Sequence, residues 1–166
     1  MVTSETVDVI DLDDRVVGIV PRSEMRARRL RHRAVFIAVT SPDGRLLVHR
    51  RSAHKDIWPG WCDIAVGGVV ASGESYDVAA RRELAEEVGL DMQPTAVDDG
   101  RPVAYDDDQV SLLGRCFRVE TPGPFAFNDG EVTEAWWVSR AELPGLLVRE
   151  HFLPDSLALL LPRLGW

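Results

Sequence analysis

The sequence predicts an α/β protein, a mixed β-sheet with helices packed on it, as one domain over residues 1–166. Three observations carry this. Short apolar and β-branched runs, punctuated by turn residues, outnumber the helical segments. One strong helix, Ser75 to Val88, lies in their midst, and such a pattern is best satisfied by helices covering a sheet. No repeat, low-complexity tract or composition break divides the 166 residues, a length that suits one core.

The elements follow in order. Val7 to Ile10 and Val16 to Val20 are β-branched runs separated by Asp11-Leu12-Asp13-Asp14-Arg15, which predicts a hairpin over about residues 6–21. Arg22 to Arg31 reads as a short helical or irregular connection. Ala34 to Thr40 is a near-continuous apolar strand closed by the turn Ser41-Pro42-Asp43-Gly44, with Leu46 to His49 as its partner. Trp61 to Val66 predicts a further strand ending at Gly67-Gly68. The helix has Ser75 as N-cap and Gly89 as its stop. Asp98 to Tyr105 and Val110 to Val119 predict two strands linked through Asp106-Asp107-Asp108. Ala135 to Val138 is a last strand, and Ala141 to Leu164 holds one or two short helices broken by Pro144, Pro154 and Pro162.

Composition excludes several classes. Apolar residues make up 45% and charged residues 28%, which is neither a disordered nor a collagen-like balance. No apolar run approaches the roughly 18 residues of a membrane span. The start, Met1-Val2-Thr3-Ser4-Glu5, lacks a secretory pattern, and Cys62 and Cys116 form neither a zinc spacing nor a disulfide framework. A reduced cytoplasmic protein is expected. The formal charge of −8 argues against bulk nucleic-acid or membrane-surface binding. One lysine accompanies 18 arginines, six of them between Arg22 and Arg33. Two readings stand for that cluster: a solvated face, or guanidinium forks that meet a phosphate.

The central helix carries the chemistry. At about 100° per residue, Glu83, Glu86 and Glu87 share one arc with Ala79, while Ala80, Leu84 and Val88 line the other side. A solvated acidic face would look the same. Three features favour a site: Ala79 leaves space on the acidic arc, Arg82 can pin one carboxylate, and Gly67-Gly68 lets the backbone turn and bring a carbonyl close to an ion. Carboxylates with few other ligands suit Mg²⁺ and a phosphorylated substrate.

These residues also carry a resemblance. Gly68-x5-Glu74-x7-Arg82-Glu83-Leu84-x-Glu86-Glu87-x-Gly89-Leu90 fills every fixed position of the Nudix box over residues 68–90, and the chain is identified as a member of the Nudix hydrolase family. The resemblance implies an α/β/α sandwich and hydrolysis, with Mg²⁺ or Mn²⁺, of a phosphoanhydride bond in a nucleoside diphosphate or related diphosphate. It implies Glu83, Glu86 and Glu87 as metal ligands, joined by the Gly67 carbonyl, with Arg82 orienting the glutamates and Glu74 bracing the loop. Glu83 is the first choice of general base. Glu131 is the main candidate outside the box, ahead of Glu134 and of Asp106 to Asp108, which read better as a hairpin turn.

A second similarity lies upstream. His32 to Phe36, Gly44 to Ser52 and Lys55 to Trp61 resemble the subgroup near isopentenyl-diphosphate isomerase. That isomerase needs a cysteine and a histidine where this chain has Val66 and Gly68, and Cys62 lies four residues too early. His32 matches one of its histidine ligands but lacks partners. The intact glutamates favour the hydrolase over the isomerase and over a non-catalytic nucleotide-binding module. Arg33, Arg51 and Lys55 are the expected diphosphate contacts. Trp58 and Trp61 either plug the core or stack on a base, and one of Trp136 and Trp137 should be buried. Many members of the family are dimers, so a homodimer is a possible state.

Overall fold

The structure, a computed structural model, describes residues 5–166; residues 1–4 of the start read above lie outside the described residues. The hairpin forms as expected, with β1 (Thr6–Ile10) antiparallel to β2 (Val16–Pro21). Asp11 closes its turn by accepting the backbone N–H groups of Asp13 and Arg15 at 2.9 and 3.0 Å. Helix α1 (Arg22–Ala27) buries Met25 against Val7 and Val69. Then come β3 (His32–Thr40), β4 (Leu46–Arg51), β5 (Cys62–Asp63), β6 (Val66–Val69), α2 (Tyr76–Val88), β7 (Thr95–Ala96), β8 (Val103–Asp106), β9 (Ser111–Glu120), β10 (Val132–Val138), α3 (Leu143–Arg149), α4 (Pro154–Leu159) and a 3-10 turn at Leu161–Arg163.

Strand β3 organises the sheet. It runs parallel to β9 on one side, giving a mixed sheet in the order β10-β4-β3-β9-β7, with β6 also paired to β3, β5 to β4 and β8 to β9. Successive side chains alternate across a strand. Val35, Ile37 and Val39 therefore meet Ala79, Ala80, Leu84 and Val88 of α2. Ala34, Phe36 and Ala38 meet Leu143, Leu159 and Leu160 from the C-terminal helices. Two apolar cores on the two faces make the α/β/α sandwich.

Several boundaries differ from the expectation. β3 and β4 pair only at the mouth of their turn, Thr40 with Leu46, and then diverge so that β4 takes β10 and β5. The strand expected over Trp61 to Val66 is two short ones, because Asp63 accepts the Ala65 N–H at 2.9 Å and turns the chain. Gly67 and Gly68 do not end a strand. They lie inside β6, opposite Phe36 and Val35. Their lack of side chains serves close approach: a Cβ on Gly67 would stand 1.9 Å from the Val35 carbonyl oxygen, and one on Gly68 2.5 Å from Glu83 Oε1. β8 starts only at Val103, since Asp98 (φ +53°) and Gly100 (φ +72°) form a turn before it. Pro144, Pro154 and Pro162 sit in the first turns of their helices, where a missing N–H costs nothing, so they start these elements rather than break them.

Helix α2 is terminated as its ends predict. Ser75 Oγ accepts the Val78 N–H at 3.2 Å, and Gly89 (φ +71°) donates to the Ala85 carbonyl at 3.2 Å. Among the described residues no helix is long and apolar enough to cross a membrane.

Candidate active site

Glu83, Glu86 and Glu87 of α2 face a pocket of about 370 Å³. Its other walls include Arg22 of α1, Lys55 from the loop after β4, Gly67 and Gly68 of β6, Arg82, and Glu131 just before β10. The Val70 N–H donates to the Arg33 carbonyl, and the alternation of antiparallel pairs then leaves Gly67 at a position whose carbonyl the β3–β6 ladder does not use.

Arg82 is the hub of the box. Its Nε and Nη2 donate to the two Glu74 oxygens at 2.8 and 2.9 Å, and Nη1 donates to Glu83 Oε1 at 2.8 Å and Glu86 Oε2 at 3.2 Å. Nη2 also reaches the Val69 carbonyl at 3.2 Å, which ties helix to strand. Glu74 in turn accepts the Ala71 N–H at 3.0 Å and fixes the connecting loop.

The acidic arc is not set apart from the apolar one. At 100° per residue Ala80 lies only about 20° from Glu87, and Glu83 and Glu87 are buried with it while Glu86 is exposed. Ala79 is fully buried among the core residues under α2 and opens no space, contrary to expectation. Burial pushes the Glu83 carboxyl up to about 7 against the pull of Arg82. Burial, reinforced by repulsion from Glu83, raises Glu87 well above the usual carboxylate range, and Lys55 only partly offsets it. The Lys55 ammonium lies 3.9 Å from Glu87 Oε1 and is hydrogen-bonded to Glu131. Burial would raise Glu131, but that hydrogen bond and charge outweigh it and hold the carboxyl below its ordinary value.

Of the expected diphosphate contacts, Lys55 lines the pocket, Arg51 only a cavity beside it, and Arg33 neither. Arg33 Nε donates to Asp14 at 2.6 Å and Nη1 to Asp8 at 3.4 Å, so it ties the N-terminal hairpin to the sheet. Arg51 lines a second, smaller cavity beside the first, with Arg22, Arg26, His32 and Trp58. Arg22 and Arg26 are the members of the early arginine cluster that reach the site. Their four-residue spacing on α1 is the signal that selects them. Glu134 pairs with Arg50 at 3.3 Å and lines neither cavity. Asp106 is held by Arg31 and Ser111, and Asp107 caps its own turn, so the aspartate run is structural. Trp58 is buried yet borders the second cavity, whereas Trp61 stacks on His151 with centroids 5.1 Å apart. Trp136 and Trp137 are both half-buried, against opposite cores.

The isomerase geometry is missing. Val66 is buried in the core under α2, and the Glu83 carboxyl occupies the space a side chain at Gly68 would need. The His32 Nδ1–H donates to the Leu30 carbonyl at 2.9 Å, and burial lowers the imidazole to about 4, so it is neutral at pH 7.

Two further acids escaped the sequence reading. Asp63 and Asp155 are each 5% exposed and line the second cavity. Burial pushes Asp63 up to about 6 against Arg51, and burial with repulsion from Asp63 pushes Asp155 up to about 7. A raised carboxyl contributes its full stability below its unfolded value near 4 and loses that contribution as pH rises through about 7. Asp155→Asn is therefore expected to leave the melting midpoint nearly unchanged at pH 4. At pH 8 it should stabilise the protein by roughly 3 kcal/mol. Denaturant melts at the two pH values check this; equal effects at both would sink it.

The donor set fits a hard divalent cation. Glu83 and Glu87 are buried carboxylates, and burial with repulsion from Glu83 raises the proton affinity of Glu87, a cost that a bound dication removes. Among the described residues no three His, Cys, Asp or Glu side chains stand grouped for a metal as they lie. The reason is visible in the ion pairs, where Arg82 holds Glu83 and Glu86 while Lys55 holds Glu131 and lies near Glu87.

Comparison with known proteins agrees with this geometry. The NUDIX domain family model matches residues 30–158. An uncharacterized Nudix hydrolase of Streptomyces coelicolor is 40% identical over 160 residues, covering 93% of this chain and 85% of its own. The uncharacterized Nudix hydrolase YfcD of Escherichia coli is 36% identical over 157 residues, covering 95% and 85%. Among solved structures, DR0079 from Deinococcus radiodurans superposes with a TM-score of 0.80 at 27% identity, covering 96% of this chain and 99% of that one. The MutT protein of Methanosarcina mazei has a TM-score of 0.66 at 24% identity, covering 81% and 93%, a likeness of fold.

Proposed function

The chain belongs to the NUDIX family, and from that premise we propose that it is a Mg²⁺- or Mn²⁺-dependent hydrolase that cleaves a phosphoanhydride bond in a nucleoside diphosphate or related small diphosphate. The observation that carries the reading is the convergence of Glu83, Glu86, Glu87 and Glu131 with Lys55, Arg22 and Arg82 on one pocket.

Glu83, Glu86, Glu87 and the Gly67 carbonyl would hold the cation. When bound, it neutralises diphosphate oxygens and makes a bound water more acidic. Arg82 keeps Glu83 and Glu86 aimed into the pocket. Lys55 and Arg22 in the pocket, with Arg51 in the cavity beside it, bring fixed positive charge to the phosphates, where charge builds up as the bond breaks. The proton leaving the attacking water goes to a pocket carboxylate, Glu83 from the helix or Glu131 from the opposite wall. The burial of Glu83 keeps bulk water from screening its charge.

The test is purified protein with Mg²⁺ and a panel of nucleoside di- and triphosphates and small diphosphate conjugates. Release of phosphate or a monophosphate is expected, lost with a chelator and restored by Mg²⁺ or Mn²⁺. Measurable ligand binding without turnover of any diphosphate would sink the proposal and favour a binding module.

A further inference from the structure

Asp56 lies in the loop between β4 and β5, next to Lys55, and lines neither cavity. Its Oδ2 faces two guanidinium groups of α1, accepting from Arg26 Nε at 3.0 Å with Arg22 Nε at 4.0 Å. Burial would raise the Asp56 carboxyl, but Arg26 and Arg22 outweigh it and hold it below its ordinary value. Arg22 also donates from Nη1 to Glu5 at 3.1 Å. One row of charges thus joins the start of the hairpin, α1 and the loop.

The loop has few other means of placing Lys55. Ala53, His54 and Asp56 are exposed, so packing does little between Ser52 and Ile57. The base of the loop is fixed at Ser52, whose N–H donates to the Glu131 carbonyl at 2.8 Å. The Ser52 carbonyl accepts the Lys55 N–H at 3.3 Å. Beyond Lys55, Arg51 Nη2 donates to the Ile57 carbonyl at 3.2 Å and Trp58 is buried. Asp56 ties the stretch between these points to α1. Arg22 and Arg26, one helical turn apart, repel each other, and the carboxylate they share offsets that repulsion. Arg22 and Lys55 both line the carboxylate pocket, although residues 5–29 precede the stretch that the family model matches.

We propose that Asp56 is a positioning residue for diphosphate binding: it fastens the Lys55 loop to α1 and so sets Lys55 and Arg22 together against the phosphates. The assignment rests on the diphosphate reading of the pocket. Asp56 touches no substrate and acts through its two neighbours. Without it, the exposed half of the loop is free to carry Lys55 away, and Arg22 and Arg26 are left to repel each other. The cations would then have to be ordered at the moment of binding, which weakens the complex.

The experiment measures the Kd of methylene-bridged analogues of the nucleoside diphosphates in the panel, with Mg²⁺ present. Beside it, kcat and KM are read for the compounds that wild type cleaves. Asp56→Asn is expected to raise Kd and KM about tenfold and to change kcat less than about threefold. Charge alone predicts the opposite sign, since removing an anion beside a site for a polyanion favours binding. Asp56→Glu should restore most of the affinity, and Arg26→Gln should lose part of it. Adding Asp56→Asn to Arg26→Gln should cost less than the product of the two single effects. Because the pair is partly exposed, melting midpoints should stay within about 2 °C of wild type. Unchanged or tighter binding by Asp56→Asn, or independent effects of the two changes, overturns the positioning role and leaves the hydrolase intact. A lowered midpoint with unchanged Kd makes Asp56 a stabilising residue and overturns the role as well. Weaker binding by Asp56→Asn, with no turnover by wild type, sinks the hydrolase and keeps the positioning role. Wild type that neither binds nor cleaves any diphosphate overturns both.

Discussion

Glu87→Gln is expected to lower kcat by about 100- to 1,000-fold while leaving the fold at least as stable as wild type. The two halves of this expectation have one cause. Glu87 is 3% exposed, and burial and Glu83 together make its charge unfavourable in the free protein. Gln keeps the shape and removes the repulsion, so the melting midpoint should hold or rise, most clearly above pH 7. The carboxylate is retained because a cation needs it. Mg²⁺ should therefore raise the wild-type midpoint by mass action and raise that of Glu87→Gln far less. Thermal melts with and without Mg²⁺, beside the turnover assay, check this. A variant that melts lower than wild type but keeps its turnover would show that Glu87 is a structural residue.

Much of this was legible in the sequence because it is local. Ser75, Gly89 and the apolar period of α2 specify that helix with no help from the rest of the chain. Glu74, Arg82, Glu83 and Glu86 find one another because a loop and one helical turn separate them. The alternation in β3 likewise announces two faces to be covered.

What was hidden depends on partners far away in the chain. Lys55 meets Glu131 across 76 residues, and nothing near either residue announces it. Arg33 looked like a phosphate contact because its neighbours in sequence are basic. Asp8 and Asp14, 25 and 19 residues earlier, satisfy it instead. Gly67 and Gly68 read as a turn because glycine pairs often are. Only the approach of the Val35 carbonyl and the Glu83 carboxyl shows that they are spacers within a strand. Asp63 and Asp155 are single acids among apolar residues, and their pairing appears only when α4 folds over β5.

Arg82→Ala should act on stability as strongly as on turnover, which separates it from Glu87→Gln. The guanidinium holds Glu74 with two hydrogen bonds and Glu83 with one, and those side chains are only 12% and 10% exposed. Removing one partner of a buried pair leaves the other charge uncompensated, at a cost of about 3 kcal/mol here. For a chain of this length that lowers the midpoint by roughly 6–12 °C. In wild type, burial would raise Glu74, but Arg82 outweighs it and holds the carboxyl below its ordinary value. Such a depressed group contributes stability above its unfolded value that is lost as pH falls through the folded one. Without Arg82 the sign reverses, since Glu74 and Glu83 can shed their charge only by taking protons. The gap between variant and wild type should therefore narrow from pH 8 to pH 5. Arg82→Lys should recover part of the stability and little of the turnover, because an ammonium cannot reproduce the fork that grips Glu74 while reaching Glu83 and Glu86. A gap that stays constant with pH would locate the role of Arg82 in its contact with the Val69 carbonyl and its packing, and not in the charges it holds.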